Sequence, residues 1–595
     1  MNDTAKLARK HNPPRSETYS KDRNAIEEHE AKTAMIKFVS DPVGPIYAIR
    51  PIVPELFSAL LKARYSRTEL SARQLLWREF VSQKENIPWT KIEKGLDALD
   101  EVFNFKRGES VAERILLQYG DDSVFELGGA HLFLDRVSMV ASKVIEDARI
   151  GISPLEKSTR YVVFDQKGSD GDYSYFKEPT IMESKHKALY LDTSRALFDF
   201  YAKTVQIFLD HFKKTIPIEK QKFPNMSQKN ELTIYKNLKD EKSIKSANIA
   251  YNASVRSKAC DLARVLLPSS TLTNIGEFGN ARAYGYLFTK MCAMNLAEMQ
   301  MIGAEAVREL KKVLPKFLDV VDNAHGLAYQ EYLRKTDVVM KMHAQKLFKG
   351  IKPSKVDMVE LVKLDKDPEI TIVAGLLYPY AVLPLQQILK IIKKLPKKTR
   401  DSVLRDSLKF RTNRRHKPPR AYELPGYELV FDFLSDFGAY RDLHRQRTLT
   451  QQRQFITTEH GYAMPPEFKE NGLDKEFKAV MEQTKVAHDK IAIDLPEESQ
   501  YMTAMAHNIR WYMGMNLREA FWLTELRSTP QGHVVYRTIA QNMFLKAMKT
   551  YPILKDLKEM NEHFVDFTDR SQNLERMESM QRIQTKLAAI EDKYS

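Results

Sequence analysis

The strongest constraint on this chain is that one order of elements occurs in it twice. An Asn-x-Arg triplet marks each round, as Asn280-Ala281-Arg282 and again as Asn516-Leu517-Arg518. Ahead of each triplet runs a polar loop, 149–160 in the first round and the arginine-rich 445–454 in the second. Ahead of each loop the pattern reads as a strand followed by a helix. After Gly120 a short strand is expected, and then Val137, Val140, Ala141 and Val144 recur at helical spacing. In the second round Leu429, Phe431 and Phe433 alternate as a half-buried strand does over 427–433. A long helix rich in Ala, Met and Leu is expected over 277–314, and helices over 515–526 and 534–548. The distance from Arg149 to Asn280 is 131 residues, and from Gln446 to Asn516 it is 70. The first round therefore carries an insertion, and the lysine-rich stretch 213–245 is the obvious candidate. Mixed helix and strand within each round gives an α+β fold in two diverged, tandem copies.

At 595 residues the chain exceeds one ordinary core. The reading divides it into a basic mobile tail (1–44), a first copy (45–330), a linker (331–368) and a second copy (369–595). Within the first copy 54–63 reads as a helix with Leu56, Leu60 and Leu61 on one face. The most apolar run, 370–385, is broken by Pro379, Tyr380 and Pro384, so it reads as core and no membrane span is expected. The first 37 residues are polar and hold no apolar segment of the secretory kind. Cys260 and Cys292 are the only cysteines, too few for a disulfide framework, which points to a reducing cytoplasm. The net charge of +15 favours anionic ligands. Much of that charge lies in lysine runs that read as solvated surface. No zinc-finger or RNA-recognition signature accompanies it, so neither a nucleic-acid partner nor a metal site is expected.

The two loops carry complementary residues. The first reads Ala148-Arg149-Ile150-Gly151-Ile152-Ser153-Pro154-Leu155-Glu156-Lys157-Ser158-Thr159-Arg160-Tyr161, and the second Arg445-Gln446-Arg447-Thr448-Leu449-Thr450-Gln451-Gln452. Together they resemble the signature of flavin-dependent thymidylate synthases, R-H-R-x-x-S-x-N-x-x-S-x-R-Y. The first loop keeps the S-x-R-Y end (Ser158, Arg160, Tyr161) with Ser153, and has lost R-H-R. The second keeps R-Q-R and has lost S-x-R-Y, with Phe455, Thr457 and Thr458 in its place. The family's G-H-E-[ST]-P-x-E-H segment is echoed at 120–127 without histidines, and at Arg415-His416-Lys417-Pro418-Pro419 with the first one. Its A-R-x-x-L-P appears as Ala263-Arg264-Val265-Leu266-Leu267-Pro268, whereas the second copy has Gln500 at the arginine position. Eleven residues past Asn280 stands Met291, and eleven past Asn516 stands Arg527, where the family has its last arginine. Four motifs recur in family order, over about 45–315 and 370–550, and the losses sort into complementary halves.

The resemblance implies a composite site. Arg160 and Arg264 would take the phosphate of dUMP, since a guanidinium donates two parallel hydrogen bonds to such an anion. Glu156, Ser158 and Thr159 would bind sugar or phosphate oxygens. Arg445 and Arg527 would face the uracil edge, and Arg527 would stabilise charge developing on the ring. Ser66, His416, Arg445, Gln446 and Arg447, with Asn280 or Asn516, would contact FAD. The implied reaction is methylation of dUMP to dTMP, with FAD supplying hydride, methylenetetrahydrofolate the one-carbon unit and NADPH the reducing equivalents. No G-x-G-x-x-G opens a β-α unit, so NADPH would dock at the flavin rather than on a Rossmann domain. Family sites lie between subunits of a tetramer, so tandem chains should pair as a homodimer, a pseudo-tetramer. Taken singly, Arg160 reads as a salt-bridged arginine, and Asn280 and Asn516 as helix caps. The alternatives are a catalytically decayed nucleotide-binding protein and a flavin-folate enzyme acting on another pyrimidine.

Overall fold

The computed structural model describes residues 126–347, 355–408 and 420–594, apart from 161, 315, 364–366, 378–384, 424–428, 569–573 and 575, together with 38–39 and 75–77. The expected helix over 54–63, Ser66 and His416 lie outside the described residues.

Both rounds are built alike. In the first, strand β1 (Gly129–Ser138) leads directly into helix α1 (Met139–Glu146), and a short strand β2 (Ile152–Glu156) follows. Helix α2 (Lys187–Thr215), a hairpin of β3 (Lys222–Asn225) and β4 (Glu231–Ile234), and helix α3 (Glu241–Ala263) come next. Strand β5 (Leu272–Asn280) then runs into helix α4 (Ala281–Ala293), followed by α5 (Ala297–Val313) and α6 (Ala324–Leu347). The second round opens with β6 (Val359–Lys363) and β7 (Leu429–Asp436). Helix α7 (Phe437–Leu443), strand β8 (Thr450–Arg453), helix α8 (Asp474–Asp494), strand β9 (Asn508–Met515), helix α9 (Leu517–Arg527) and helix α10 (Val534–Thr550) follow. Helix α11 (Met577–Tyr594) ends the described chain.

The sheets make the duplication visible. Strand order is β1-β5-β2 in one and β6-β7-β9-β8 in the other, so β7-β9-β8 repeats the first order and β6 is an added edge. Matching caps support it. Ser138 and Asp436 accept from the backbone N–H of Ala141 and Ala439, and Asn280 and Asn516 from those of Ala283 and Glu519. The asparagines of both triplets are therefore N-caps that turn a strand into a helix.

Several sequence expectations need correction. Val137 ends a strand rather than lying on a helix, because Ser138 caps α1 one residue later. Each polar loop contains a strand, β2 or β8. The helix expected over 277–314 is the end of β5 followed by two helices, interrupted at 294–296. The lysine-rich stretch 213–245 contains the end of α2, the β3–β4 hairpin and the start of α3. Residues 331–347 continue α6, and 359–363 pair with β7. Of the run 370–385, residues up to Leu377 belong to a helix that begins at Pro368.

The chain divides into two compact units. One takes the described residues up to Phe133 with 150–155 and 276–347, and the other 134–149, 156–275 and the described residues from 355 onward. In the first unit α4 packs on α5 and α6, and Met291 and Tyr284 are fully buried. In the second unit β7 buries Leu429, Phe431 and Phe433 against the core, with Trp511 of β9 stacked on Phe433 at 4.8 Å. The two copies are stitched together within this unit. Ser269 N–H donates to Thr503 O at 2.8 Å, Met505 N–H to Leu267 O at 2.9 Å and Ala506 N–H to Val265 O at 2.8 Å. These bonds join the A-R-x-x-L-P-like segment to its counterpart in the other copy, and fix the turn that carries Arg264. No helix among the described residues is long and apolar enough to cross a membrane.

Candidate functional site

The site lies in the second unit and is built from both copies. Arg160 follows β2, Asp261 and Arg264 sit at the C-terminal end of α3 one turn apart, and Asp442 is in the last turn of α7. The four form a closed ring of ion pairs. Arg160 Nε lies 2.8 Å from Asp261 and its Nη2 3.1 Å from Asp442, and Arg264 Nη2 is 2.8 Å from Asp442 and its Nε 3.5 Å from Asp261. All four side chains are at most 15% exposed. Burial opposes the charge on Asp442, but the Arg160 and Arg264 guanidiniums outweigh it and hold its carboxyl well below the usual range. For both arginines burial is likewise outweighed by the two carboxylates, which hold them charged.

Arg527, at the C-terminal end of α9, meets this ring across one aromatic residue. Its guanidinium lies 5.8 Å from the centre of the Tyr536 ring, and that of Arg160 lies 5.3 Å from the same ring. With the Gln446 carboxamide turned so that both groups are satisfied, its oxygen accepts from Arg527 Nε at 3.3 Å and Nη2 at 3.2 Å. The loop holding Gln446 is itself tied to the first copy. Arg149 Nη1 donates to Gln446 O at 2.7 Å and to Leu449 O at 3.2 Å. The two signature loops thus touch directly.

Beside this lies a second buried cluster. Lys143 is paired with Glu146 and with Glu156 at 2.9 Å, and Arg441 donates to Glu156 at 2.7 Å. His444 Nε2 is 3.1 Å from Glu146, and Arg445 reaches its other oxygen at 4.0 Å. Burial would raise the carboxyls of Glu146 and Glu156. For Glu146 this is outweighed chiefly by Lys143, and for Glu156 by Arg441 and then Lys143, so both are held ionised. His444 is kept neutral by burial and by Lys143.

Of the residues singled out from sequence, Arg160, Arg264, Arg445, Gln446 and Arg527 come together here. Glu156 faces Lys143 and Arg441 rather than the arginine ring. Ser158 accepts from the N–H of Arg160 at 3.3 Å, Thr159 is buried, and Arg447 is exposed. Asn516 caps α9, and Asn280 lies in the first unit. Sequence reading missed Asp261, Asp442, Tyr536, His533 and Arg576. Asp261 carried a signal, since it stands one helical turn before Arg264. Burial pushes the His533 imidazole down to about 4, so it is neutral at pH 7, and the charges acting on it are those of Asp261, Arg264, Arg160 and Asp442. Arg576 is pushed down to about 10 by burial, with repulsion from Arg160 adding to it. It enters from beyond the repeated region, where no motif pointed.

Chemically, the ring sets two guanidiniums against two carboxylates, with a third guanidinium, Arg527, beside it. Arg160 and Arg264 are held rigid and fully charged. Arg527 differs, because among the described residues no carboxylate lies at ion-pair distance from it.

Comparison with known proteins identifies the family. Two segments, 66–316 and 362–553, match the family model described as thymidylate synthase complementing protein. The UPF0159 protein of Chlamydia pneumoniae is 39% identical over 88% of this chain and 92% of its own length. That of Chlamydia muridarum is 38% identical over 88% and 94%, and that of Thermoplasma acidophilum 34% over 76% and 88%. The chain therefore belongs to the thymidylate synthase complementing protein family, with two diverged copies of the family domain in tandem.

Proposed function

We propose that this protein methylates dUMP to dTMP at one composite site per chain, using FAD, methylenetetrahydrofolate and NADPH. The observation that carries the reading is the meeting of Arg160 and Arg264 from one copy with Arg527 and Gln446 from the other, Arg160 and Arg527 sharing the ring of Tyr536. Each copy alone lacks half of this set.

In the proposed mechanism Arg160 and Arg264 take the phosphate, with Ser158 and Thr159 on the sugar side. Glu156, held by Lys143 and Arg441, fixes the loop from which these residues project. Arg445 and Arg527 face the uracil edge. As the ring carbon that accepts the methyl group becomes nucleophilic, negative charge grows on the ring oxygens, and Arg527 opposes it from a site where burial strengthens the interaction. Arg445, one-third exposed, and the exposed Arg447 have the sign that an FAD diphosphate needs, and Ser66, His416, Gln446, Asn280 and Asn516 belong to the flavin set through the resemblance. Bound FAD would supply the hydride. The chains would pair as a homodimer.

Tritium release from [5-³H]-dUMP, with FAD, methylenetetrahydrofolate and NADPH present, tests the reaction. Release in step with dTMP formation is expected, with about one flavin bound per chain if one site per chain survives. A colourless protein giving no release would indicate a decayed nucleotide-binding protein. Release only from a different tritiated pyrimidine would reassign the substrate.

The phosphate grip gives a separate prediction. Arg160→Ala should weaken dUMP binding by about 1.5–3 kcal/mol, the worth of a hydrogen bond to a charged group, or roughly ten- to a hundredfold in Kd. Titration calorimetry measures it, with flavin affinity nearly unchanged. Intact dUMP binding in a folded Arg160→Ala protein would show that the phosphate lies elsewhere.

A further inference from the structure

Gln446 stands where the family signature has histidine, and the geometry gives this departure a role. Arg160 and Arg264 each have two carboxylate partners. Arg527 is held differently: Asp442 acts on it only from beyond ion-pair distance, against the repulsion of Arg445 and Arg160, and the groups shown in direct contact with it are neutral. The Gln446 carboxamide oxygen accepts from its Nε and Nη2, and the Tyr536 ring lies 5.8 Å from its guanidinium carbon. Both neutral groups are fixed. Gln446 is buried, and its backbone carbonyl is tied to Arg149 at 2.7 Å. Tyr536 is buried, bears Arg160 on its ring, and packs so closely on the 528–533 turn that a Cβ at Gly532 would lie 2.6 Å from it.

We propose that Gln446 and Tyr536 form an uncharged cradle that positions Arg527 while leaving its whole positive charge to the ring of a bound pyrimidine nucleotide. This rests on the functional reading above and deepens it. A carboxylate at position 446 would hold the guanidinium in the same geometry and more strongly. It would also cancel, in a buried setting, the charge the reaction uses. An amide oxygen supplies the geometry without the cancellation. On this view the glutamine is a positioning residue, selected for neutrality.

The deciding variant is Gln446→Glu, which keeps shape and grip and changes only charge. Its kcat for dTMP formation is expected to fall about a hundredfold, the loss typical of one electrostatic donor. KM for dUMP and the melting temperature should be little changed. A residue of merely structural role would give the opposite pattern, full kcat with equal or higher stability. Gln446→His should recover activity relative to Gln446→Glu. Tyr536→Leu removes one wall without adding charge, and should lower kcat between about ten- and a hundredfold through misplacement of Arg527. A second readout needs no turnover. 5-Fluoro-dUMP has a more acidic ring than dUMP, so the wild-type protein should bind it increasingly well as rising pH makes that ring anionic. Gln446→Glu should flatten this rise. Wild-type kcat together with an undiminished fluoro-dUMP rise in Gln446→Glu would overturn the cradle. Should the wild-type protein fail to methylate dUMP, the proposed reaction falls, and the fluoro-dUMP profile still decides the cradle.

Discussion

Replacing Arg527 with alanine is expected to cost about 10²- to 10³-fold in kcat, the largest catalytic effect of any single substitution in this site. The loss should fall on the chemical step. Arg160 and Arg264, which would hold the phosphate, stay in their ion-pair ring with Asp261 and Asp442 when Arg527 is removed. The nucleotide should therefore still bind, though more weakly, because the uracil edge loses one donor. An interaction realised mainly in the transition state lowers kcat and kcat/KM together, whereas one lost equally from ground and transition states raises KM alone. Single-turnover measurement with saturating dUMP separates the two. Arg527→Ala with wild-type kcat and raised KM would make Arg527 a binding residue only. Met291→Arg, which restores an arginine at the equivalent position of the first copy, should not rescue it. Met291 is fully buried in α4, and a charge there has to be desolvated without a designed partner.

How much of this was legible in sequence depended on whether the signal was periodic, chemical or neither. Strand β7 was readable because Leu429, Phe431 and Phe433 face the core in strict alternation. Strands β2 and β8 were hidden in polar loops. They are only five and four residues long, and of the apolar residues of β2 only Ile152 is buried, so no apolar alternation could develop. Strand β5, Leu-Thr-Asn-Ile-Gly-Glu-Phe-Gly-Asn, is broken up by two glycines, and its last four residues read as the start of a helix that begins only after Asn280 caps it. The arginines were legible through their motif, twice, with complementary losses. Their partners were not. Asp442 comes 178 residues after Arg264, and its meaning depends on where α7 packs. Tyr536 sits among the apolar residues of α10 and reads as core. Chemistry carried by a motif survives in sequence, while the counter-charges and neutral supports around it are supplied by tertiary structure.

The buried cluster beside the site gives the largest expected effect on stability. Lys143, Glu146 and His444 are fully buried, Glu156 and Arg441 nearly so. Taking Lys143 to methionine leaves two buried carboxylates with Arg441 on Glu156, and the His444 imidazole and the one-third-exposed Arg445 on Glu146. Removing one partner of a buried pair costs about 3–5 kcal/mol, because the remaining charge is left without compensation. Denaturant unfolding at pH 7 should show that loss. Its pH dependence distinguishes this cause from lost packing. In the wild-type protein Glu146 and Glu156 are held below their ordinary values, so between those values and the unfolded one near 4.3 the unfolded chain binds more protons. Their contribution is complete above about pH 5 and is lost as pH falls through the depressed folded values, so stability rises with pH in the acid range. In Lys143→Met the largest of the charges that hold Glu146 ionised is gone, leaving His444 and Arg445 against burial, so its folded value rises and its depression shrinks. The folded state then binds more protons than the wild-type folded state does, and this group's contribution to the rise of stability with pH shrinks. Wild type and variant should therefore converge on acidification and diverge toward neutrality. A constant difference between them across pH 4 to 8 would mean that Lys143 contributes its methylenes alone, and that the cluster's charges carry none of the stability assigned to them.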